Sequence, residues 1–524
     1  MPHEDFADLT LFITGPTWLR PEVRRAGMLP EFGHRDSEGN KRFVPIFEHL
    51  RTLARVGEGW DVMLFNGSGS TALEAAIRSL VADGETVLNV SVGAFGDLFH
   101  KMAVLNGKKA VQLKFEPGRA IDLERMEQAL VEHRPAVVTL TQNETSTGVC
   151  NDVETACALA RKHGALPVVD GVSLFGGADA RIPESNPAMY VTSPQKALGL
   201  HAGFGIAFVS AEALDKAARV RNRGHSSDIL NQLNTARKSQ TLTTPNCGLA
   251  NQMAVQLDYI VNVEGVENRY RRHAVMRDMV QAWAARQSGF ELFAQEGFRS
   301  PTLTTLRPPQ GMSVADLKKI KEAVRARGYL FDPGYGKLNA DLEAKGLRPV
   351  FRIGHMGDIT PEMLTADSVR RTHESPRRIR SGGFFSCAPR SVAQHLDQEA
   401  LQVVGFGHGR MHRMVHVLVA LADDPNPHPG LLGRALEHPA QIVAGEVLGA
   451  GAGQEQPAVL HQAQSQAVGL AVGRRAGLHV LAALDEGGGV QADEIEAPPL
   501  VQHFRQGLEG VGLHAFHPLG HVVE

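Results

Sequence analysis

Residues 189–210 read MYVTSPQKALGLHAGFGIAFVS. Two short apolar runs, MYVTS (189–193) and GIAFVS (205–210), flank a segment in which a single lysine, Lys196, stands among apolar and glycine residues. Runs of this length bounded by Gly and Pro predict buried strands rather than helices. Toward the N-terminus the pattern repeats in LPVVDGV (166–172), AVVTLTQ (136–142), TVLNVSV (86–92) and VMLFNGSG (62–69). TALEAAIRSLV (71–81) and DVETACALARKHG (152–164) lie between them with helical spacing, and Thr71 with Glu74 has the pattern of a capping box. Near-continuous apolar strands alternating with helices predict an α/β fold whose mostly parallel sheet is covered on both faces. Ligands of such sheets bind at the carboxyl ends of the strands, so the polar residues closing these runs are the functional candidates.

Beyond residue 210 the pattern changes. Residues 247–285 read as a long helix or helix pair. TLTTLRP, SVADLKKIKEAVRARG and RPVFRIG then read as strand, helix and strand of a smaller α+β domain. The expected division is a large domain over 1–255 (with an N-terminal segment, 1–30), a small C-terminal domain over 256–370, and a separate tail over 371–524. Composition sets that last boundary. Residues 371–524 contain no Lys, Tyr or Trp and hold 13 of the 23 histidines.

Over the 524 residues Lys plus Arg is 54 and Asp plus Glu is 57, a net charge of −3 that argues against a dedicated nucleic-acid binder. The four cysteines, Cys150, Cys157, Cys247 and Cys387, form no CxxC pair and no metal spacing, which points to a reducing cytoplasm. The first ten residues, MPHEDFADLT, lack the basic and apolar regions of a signal peptide. No run approaches the roughly 18 apolar residues of a membrane span. The expectation is a soluble, cytoplasmic globular protein with no membrane or nucleic-acid partner and no metal.

Three strand ends carry the chemistry. Lys196, just past a strand and followed by ALGLHAGFG, is placed for the depressed pKa that a nucleophilic amine needs. Asp170 closes LPVVD and is placed to keep a heteroaromatic ring nitrogen protonated. Gly67-Ser68-Gly69-Ser70-Thr71 opens a helix, where backbone N–H groups, hydroxyls and the positive helix end suit a phosphate. The GK[ST] ending of a nucleotide P-loop is missing there. Taken singly, each has a plainer reading: a solvated lysine, a helix-capping aspartate, a Gly/Ser turn.

Together these residues resemble the class V aminotransferases, which are fold-type I enzymes using pyridoxal 5′-phosphate, and above all their alanine–glyoxylate and serine–glyoxylate (serine–pyruvate) subgroup. The resemblance covers about residues 10–366. It is carried by GPTWLRPEV (15–23), GHRDSE (33–38), NGSGSTALEAA (66–76), VGAFGD (92–97), NETSTGV (143–149), VVDGVSLFGG (168–177), SPQKAL (193–198), TTP (243–245) and FRIGHMGD (351–358). It implies that Lys196 carries the cofactor covalently and moves the substrate proton, and that Asp170 pairs with the pyridine nitrogen. Ser68, Gly69, Ser70 and Gln195 would hold the phosphate. Phe95 would stack on the ring, where core packing is the plainer reading. Thr145 would lie near the phenolic oxygen, and Thr244 would reach the phosphate of the partner subunit in a homodimer. Arg352 would grip the substrate α-carboxylate, a task suited to a planar guanidinium. The activity implied is transfer of an amino group from alanine or serine to glyoxylate or pyruvate by a ping-pong mechanism. A lyase or decarboxylase on the same fold, or a cofactor-binding protein without turnover, is the alternative. Cysteine desulfurases share the fold but need a nucleophilic cysteine before the arginine, and residues 300–352 contain none.

Several positions depart from the family pattern. Gln142 stands where a histidine is common, Pro194 replaces a small residue, and Thr241 lies where some relatives have tyrosine. The tail resembles no family. Its Gly-, Ala-, Arg- and His-rich composition is that of GC-rich DNA read out of frame, so a frameshift or fused reading frame is expected after about residue 366. His408, His412 and His416 share the i, i+4, i+8 spacing of a metal site, but general histidine richness accounts for them.

Overall fold

The computed structural model describes residues 9–365 and, farther along, the backbone of two strands, Val468–Arg475 and Leu478–Asp485. The chain divides into two compact units, Met1–Ala388 and Pro389–Glu524. In the second, the two strands pair antiparallel, from Val468 opposite Asp485 to Arg475 opposite Leu478. The rest of the tail, with His408, His412 and His416, lies outside the described residues.

The first unit is built on a seven-stranded sheet. Its strand order is Trp60–Asn66, Phe204–Ser210, Met189–Thr192, Leu166–Asp170, Val137–Thr141, Thr86–Ser91 and Lys109–Lys114. All neighbours from Met189–Thr192 to Lys109–Lys114 are parallel. Phe204–Ser210 runs antiparallel to both of its neighbours. The reason is local: residues 193–203 hold no crossover helix, and a parallel return would require one. Thr86–Ser91, Val137–Thr141, Met189–Thr192 and Phe204–Ser210 are buried along their whole length, as strands covered on both faces must be.

The helix expected over 71–81 begins earlier, at Gly69, and runs to Leu80. Ser68 is its N-cap, and Thr71 is the reciprocal partner whose Oγ1 accepts the Ser68 N–H (3.2 Å). Glu74 takes no part in the cap; its Oε1 accepts from Asn106 Nδ2 (3.1 Å). Ser68, Gly69 and Ser70 therefore form the helix's first turn rather than a loop before it. The helix over 152–164 forms as Val153–Lys162, capped by Asp152, which accepts the Thr155 N–H.

Residues 247–286 form the expected helix pair, Cys247–Asp258 and Val266–Arg286, joined by a π-helical turn, Tyr259–Glu264. A smaller antiparallel sheet follows, ordered Glu291–Leu292, Leu303–Arg307, Phe351–Gly354, with the helix Val314–Arg325 capped by Ser313. Thr10–Phe12 pairs in parallel with Tyr329–Phe331. Phe12 and Trp18 pack on the core formed by Met276, Val280, Leu306, Phe331 and Phe351. Within the N-terminal segment, Thr10–Phe12 and Trp18 thus contact the smaller layer, while Val23 lies in the core of the large sheet. Among the described residues no helix is long and apolar enough to cross a membrane.

Candidate active site

The parallel strands end on one side of the large sheet. The turn after Trp60–Asn66 is closed by Gly67 at φ +139°, where a Cβ would meet Thr71 Oγ1 at 2.3 Å. The Gly69 N–H donates to Ser193 Oγ (3.1 Å), and Ser193 Oγ also bonds Gln195 Oε1. Ser68, Gly69 and Gln195 are thereby drawn to one point at the positive end of a twelve-residue helix. Ser70 is exposed beside them, and its N–H has no protein acceptor among the described residues.

Lys196 lies just beyond the strand Met189–Thr192, and its segment is held from several sides. Thr17 Oγ1 donates to Lys196 O (3.1 Å), Arg269 Nη2 to Ala197 O (2.7 Å), and Gln256 Nε2 to Leu198 O (2.8 Å). The Lys196 ammonium donates to Thr14 O and stands 5.9 Å from the Phe95 ring centroid. Burial, and then the Arg352 charge, pull the Lys196 pKa down to about 8, against Asp170, Asp332 and Glu144.

Asp170 is 4% exposed. Its Oδ1 accepts the Val172 N–H (2.9 Å), and among the described residues Oδ2 accepts nothing. Burial pushes its pKa up to about 7; the Val172 N–H opposes this, Glu144 adds to it, and Lys196 opposes it. A buried carboxylate with an unspent oxygen is poised to receive a cationic N–H.

Glu144, which sequence reasoning quoted only as part of a motif, is fully buried. Its Oε2 accepts the N–H groups of Phe95 (3.0 Å) and Gly96 (3.2 Å). Its Oε1 accepts the N–H (2.9 Å) and the hydroxyl (2.6 Å) of Ser146. Burial raises its pKa and the four donors oppose that. The carboxylate closes the N-terminus of the helix Ala94–Leu105 and sets where Phe95 stands. Thr145, the next residue, is buried, and its hydroxyl makes no hydrogen bond among the described residues.

Arg352 reaches this cluster from the strand Phe351–Gly354. Its Nη1 donates to Thr145 O (2.8 Å), its Nη2 to Asp332 Oδ2 (2.6 Å), and its Nε is buried without a partner among the described residues. Tyr335 completes the rim, with its ring centroid 6.4 Å from that of Phe95 and 6.0 Å from Arg352 Cζ. Sequence reasoning missed Asp332 and Tyr335 because FDPGYG reads as a turn. Thr244 is exposed at the edge of the cluster, where its carbonyl accepts from Asn66 Nδ2 (2.7 Å).

The residues departing from the family pattern point elsewhere. Gln142 is buried beneath Asp170, accepting from Tyr190 Oη (2.6 Å) and donating to Ala180 O (3.1 Å). Thr241 is buried and donates to Thr243 O (2.8 Å).

A family model described as aminotransferase class V matches residues 40–322. The chain belongs to the class V aminotransferases. Serine–glyoxylate aminotransferase of Hyphomicrobium methylovorum is 32% identical, over 68% of this chain and 86% of that protein. An uncharacterized aminotransferase of Methanocaldococcus jannaschii is 31% identical, over 66% of this chain and 87% of its own length. Among solved structures, alanine–glyoxylate aminotransferase from Nostoc sp. matches with a TM-score of 0.63 at 26% identity, covering 71% of this chain and 94% of that one. The chain is therefore an aminotransferase dependent on pyridoxal 5′-phosphate. The residues present fit that cofactor. Asp170 Oδ2 is an unspent buried acceptor for a pyridinium N–H, the Ser70 N–H is an unspent donor at a helix start, and Lys196 supplies an amine of lowered pKa.

Proposed function

We propose that this class V aminotransferase moves the amino group of a small amino acid, alanine or serine, to a small 2-oxo acid, glyoxylate or pyruvate, in two half-reactions. The observation that carries this reading is Arg352, a buried guanidinium whose Nε has no partner among the described residues and which stands beside Lys196, Thr145 and Tyr335. A planar cation in that place suits an α-carboxylate gripped by paired hydrogen bonds. The names of the serine–glyoxylate and alanine–glyoxylate relatives support the same donors and acceptor.

Pyridoxal 5′-phosphate, when bound, supplies the carbonyl that takes up the amino group and the ring that stabilises the electron pair left at Cα. Lys196 would hold the cofactor and, with its Nζ freed, would move the proton from the donor's Cα to the carbon that takes up the amino group. In the reverse half-reaction Nζ returns a proton to the Cα of the product. Asp170 would hold the proton on the ring nitrogen through Oδ2. Phe95 would lie against the ring face, and Thr145 would orient the substituted edge through its hydroxyl. Ser68, Gly69, Ser70 and Gln195 would bind the phosphate. The enzyme acts as a cytoplasmic homodimer in which Thr244 reaches the partner's phosphate.

The test is the absorbance of the purified full chain loaded with cofactor, titrated with alanine and serine and then with glyoxylate. The expected result is loss of the cofactor's long-wavelength band with an amino acid and its return with glyoxylate, and neither change in Lys196→Ala. A band that no small amino acid alters would refute the substrate assignment.

A further inference from the structure

Asp332 is the feature of the site that carboxylate recognition by itself does not require. Its place is fixed by the backbone: Asp332 and Arg352 form an isolated antiparallel bridge, with the Arg352 N–H donating to Asp332 O (2.9 Å). Its carboxylate is pinned on both oxygens. Oδ1 accepts the Gly334 N–H (2.9 Å), and Oδ2 accepts from Arg352 Nη2 (2.6 Å) and Thr14 Oγ1 (3.2 Å). The side chain is 15% exposed, against 8% for Arg352. An anion held by three donors is a permanent wall of the pocket rather than a loose side chain waiting to be displaced.

We propose that Asp332 is a specificity-determining residue that excludes dicarboxylate substrates from this site. The proposal rests on the reading of Arg352 as the α-carboxylate ligand. Arg352 alone would offer one positive charge and welcome either a monoanion or a dianion. Paired with Asp332, it retains a geometry for one carboxylate, which Nε and the remaining N–H groups can hold, while the pair's net charge is close to zero. A second carboxylate, one or two methylenes beyond the first, comes within a few ångströms of Asp332. Two like charges at that separation in a partly buried site repel strongly enough to weaken binding by about a hundredfold before solvent screening, and by roughly tenfold after it. Donors of the alanine and serine class escape that penalty. Those of the aspartate and glutamate class carry it in full.

The experiment uses the cofactor-loaded full chain and two probes without an amino group, propionate as monoanion and succinate as dianion. Their dissociation constants are read from the perturbation of the cofactor's absorbance. The expected result is that Asp332→Asn, which keeps the shape and removes the charge, tightens succinate about tenfold more than propionate. Asp332→Ser, a second neutral variant, should do the same, and the kcat/KM ratio of aspartate to alanine should rise in parallel. An equal effect on both probes, or no effect on either, overturns the proposal, since a merely structural role would move the two together. Arg352→Gln separates the two levels. If it leaves propionate binding unchanged, the carboxylate-docking reading fails. If it weakens propionate while Asp332→Asn leaves the ratio alone, only the role of Asp332 fails.

Discussion

Removing the Asp170 charge should change how the cofactor-free protein responds to pH. The Asp170 carboxyl is held at about 7, some three units above its ordinary value, chiefly by burial. Between those two values the folded protein keeps a proton that the unfolded chain has lost. Stability therefore falls as pH rises through that window, with a slope approaching about 1.4 kcal/mol per pH unit. Integrated from pH 5 to pH 8, the loss attributable to Asp170 is about 3 kcal/mol. Asp170→Asn cannot lose that proton, and its amide can still accept the Val172 N–H. The assay is urea unfolding of both cofactor-free proteins across this range, followed by the fluorescence of Trp18, Trp60 and Trp283. The wild type should lose about 3 kcal/mol relative to the variant between pH 5 and pH 8. Loading the cofactor should shrink the difference, because a pyridinium N–H at Oδ2 favours the ionised carboxylate. Parallel curves for the cofactor-free pair would refute the reasoning: burial would then not be what sets this group.

Two further substitutions test how the site is held. Gly15 sits at φ +109°, and a Cβ there would lie 2.7 Å from Lys196 Cδ and 2.8 Å from Nζ. Gly15→Ala should lower kcat by roughly a hundredfold by displacing Nζ, at a backbone cost of about 1–3 kcal/mol; unchanged turnover would mean that Lys196 is not positioned against this turn. Tyr190→Phe leaves buried Gln142 Oε1 without its 2.6 Å donor and should cost about 1–3 kcal/mol, seen as a lower melting temperature with the donor preference unaltered. An unchanged melting temperature would show that Gln142 finds another partner.

The large sheet was legible where strands are buried on both faces. Val137–Thr141 and Phe204–Ser210 are mostly apolar runs because both faces are covered, and the polar Thr139 within them accepts from Asn89 Nδ2 (2.8 Å). The edge strand Lys109–Lys114 was not, since KAVQLK has one free edge and exposed ends and so carries no such signature. Lys196, Asp170 and the Ser68–Ser70 turn could be read because each follows a recognisable strand. Arg352 could be read because a charge inside VFRIG demands a reason. Glu144 could not be weighted, because two of its four donors are the backbone amides of Phe95 and Gly96, 49 and 48 residues away, and amides leave no mark in sequence. Asp332 was hidden by its own neighbours. DPG is a turn pattern, and only the pairing of Asp332 with Arg352 turns that turn toward the site.

The distance between Lys196 and Arg352 has to be maintained although the two residues sit on different layers, and Arg269 is what joins those layers. It is fully buried, and an unpaired buried cation would be strongly destabilising. Its Nη1 meets Asp358 Oδ1 (3.0 Å) and Glu264 Oε2 (2.8 Å), which neutralise it. Its Nε and Nη2 are spent on Gly176 O (2.9 Å) and Ala197 O (2.7 Å), in the segments that follow Asp170 and Lys196. Asp358 lies six residues beyond Arg352 and also accepts from Gln256 Nε2 (2.9 Å), whose amide donates as well to Leu198 O (2.8 Å). One network thus fastens the lysine segment of the large sheet to the strand that carries the arginine. Buried ion clusters add little net stability over an apolar replacement, so a stability argument does not account for this one. Registry does: directional bonds from a planar guanidinium fix the relative position of two segments, as apolar contacts cannot, and here those segments carry Lys196 and the cation proposed to bind the substrate carboxylate.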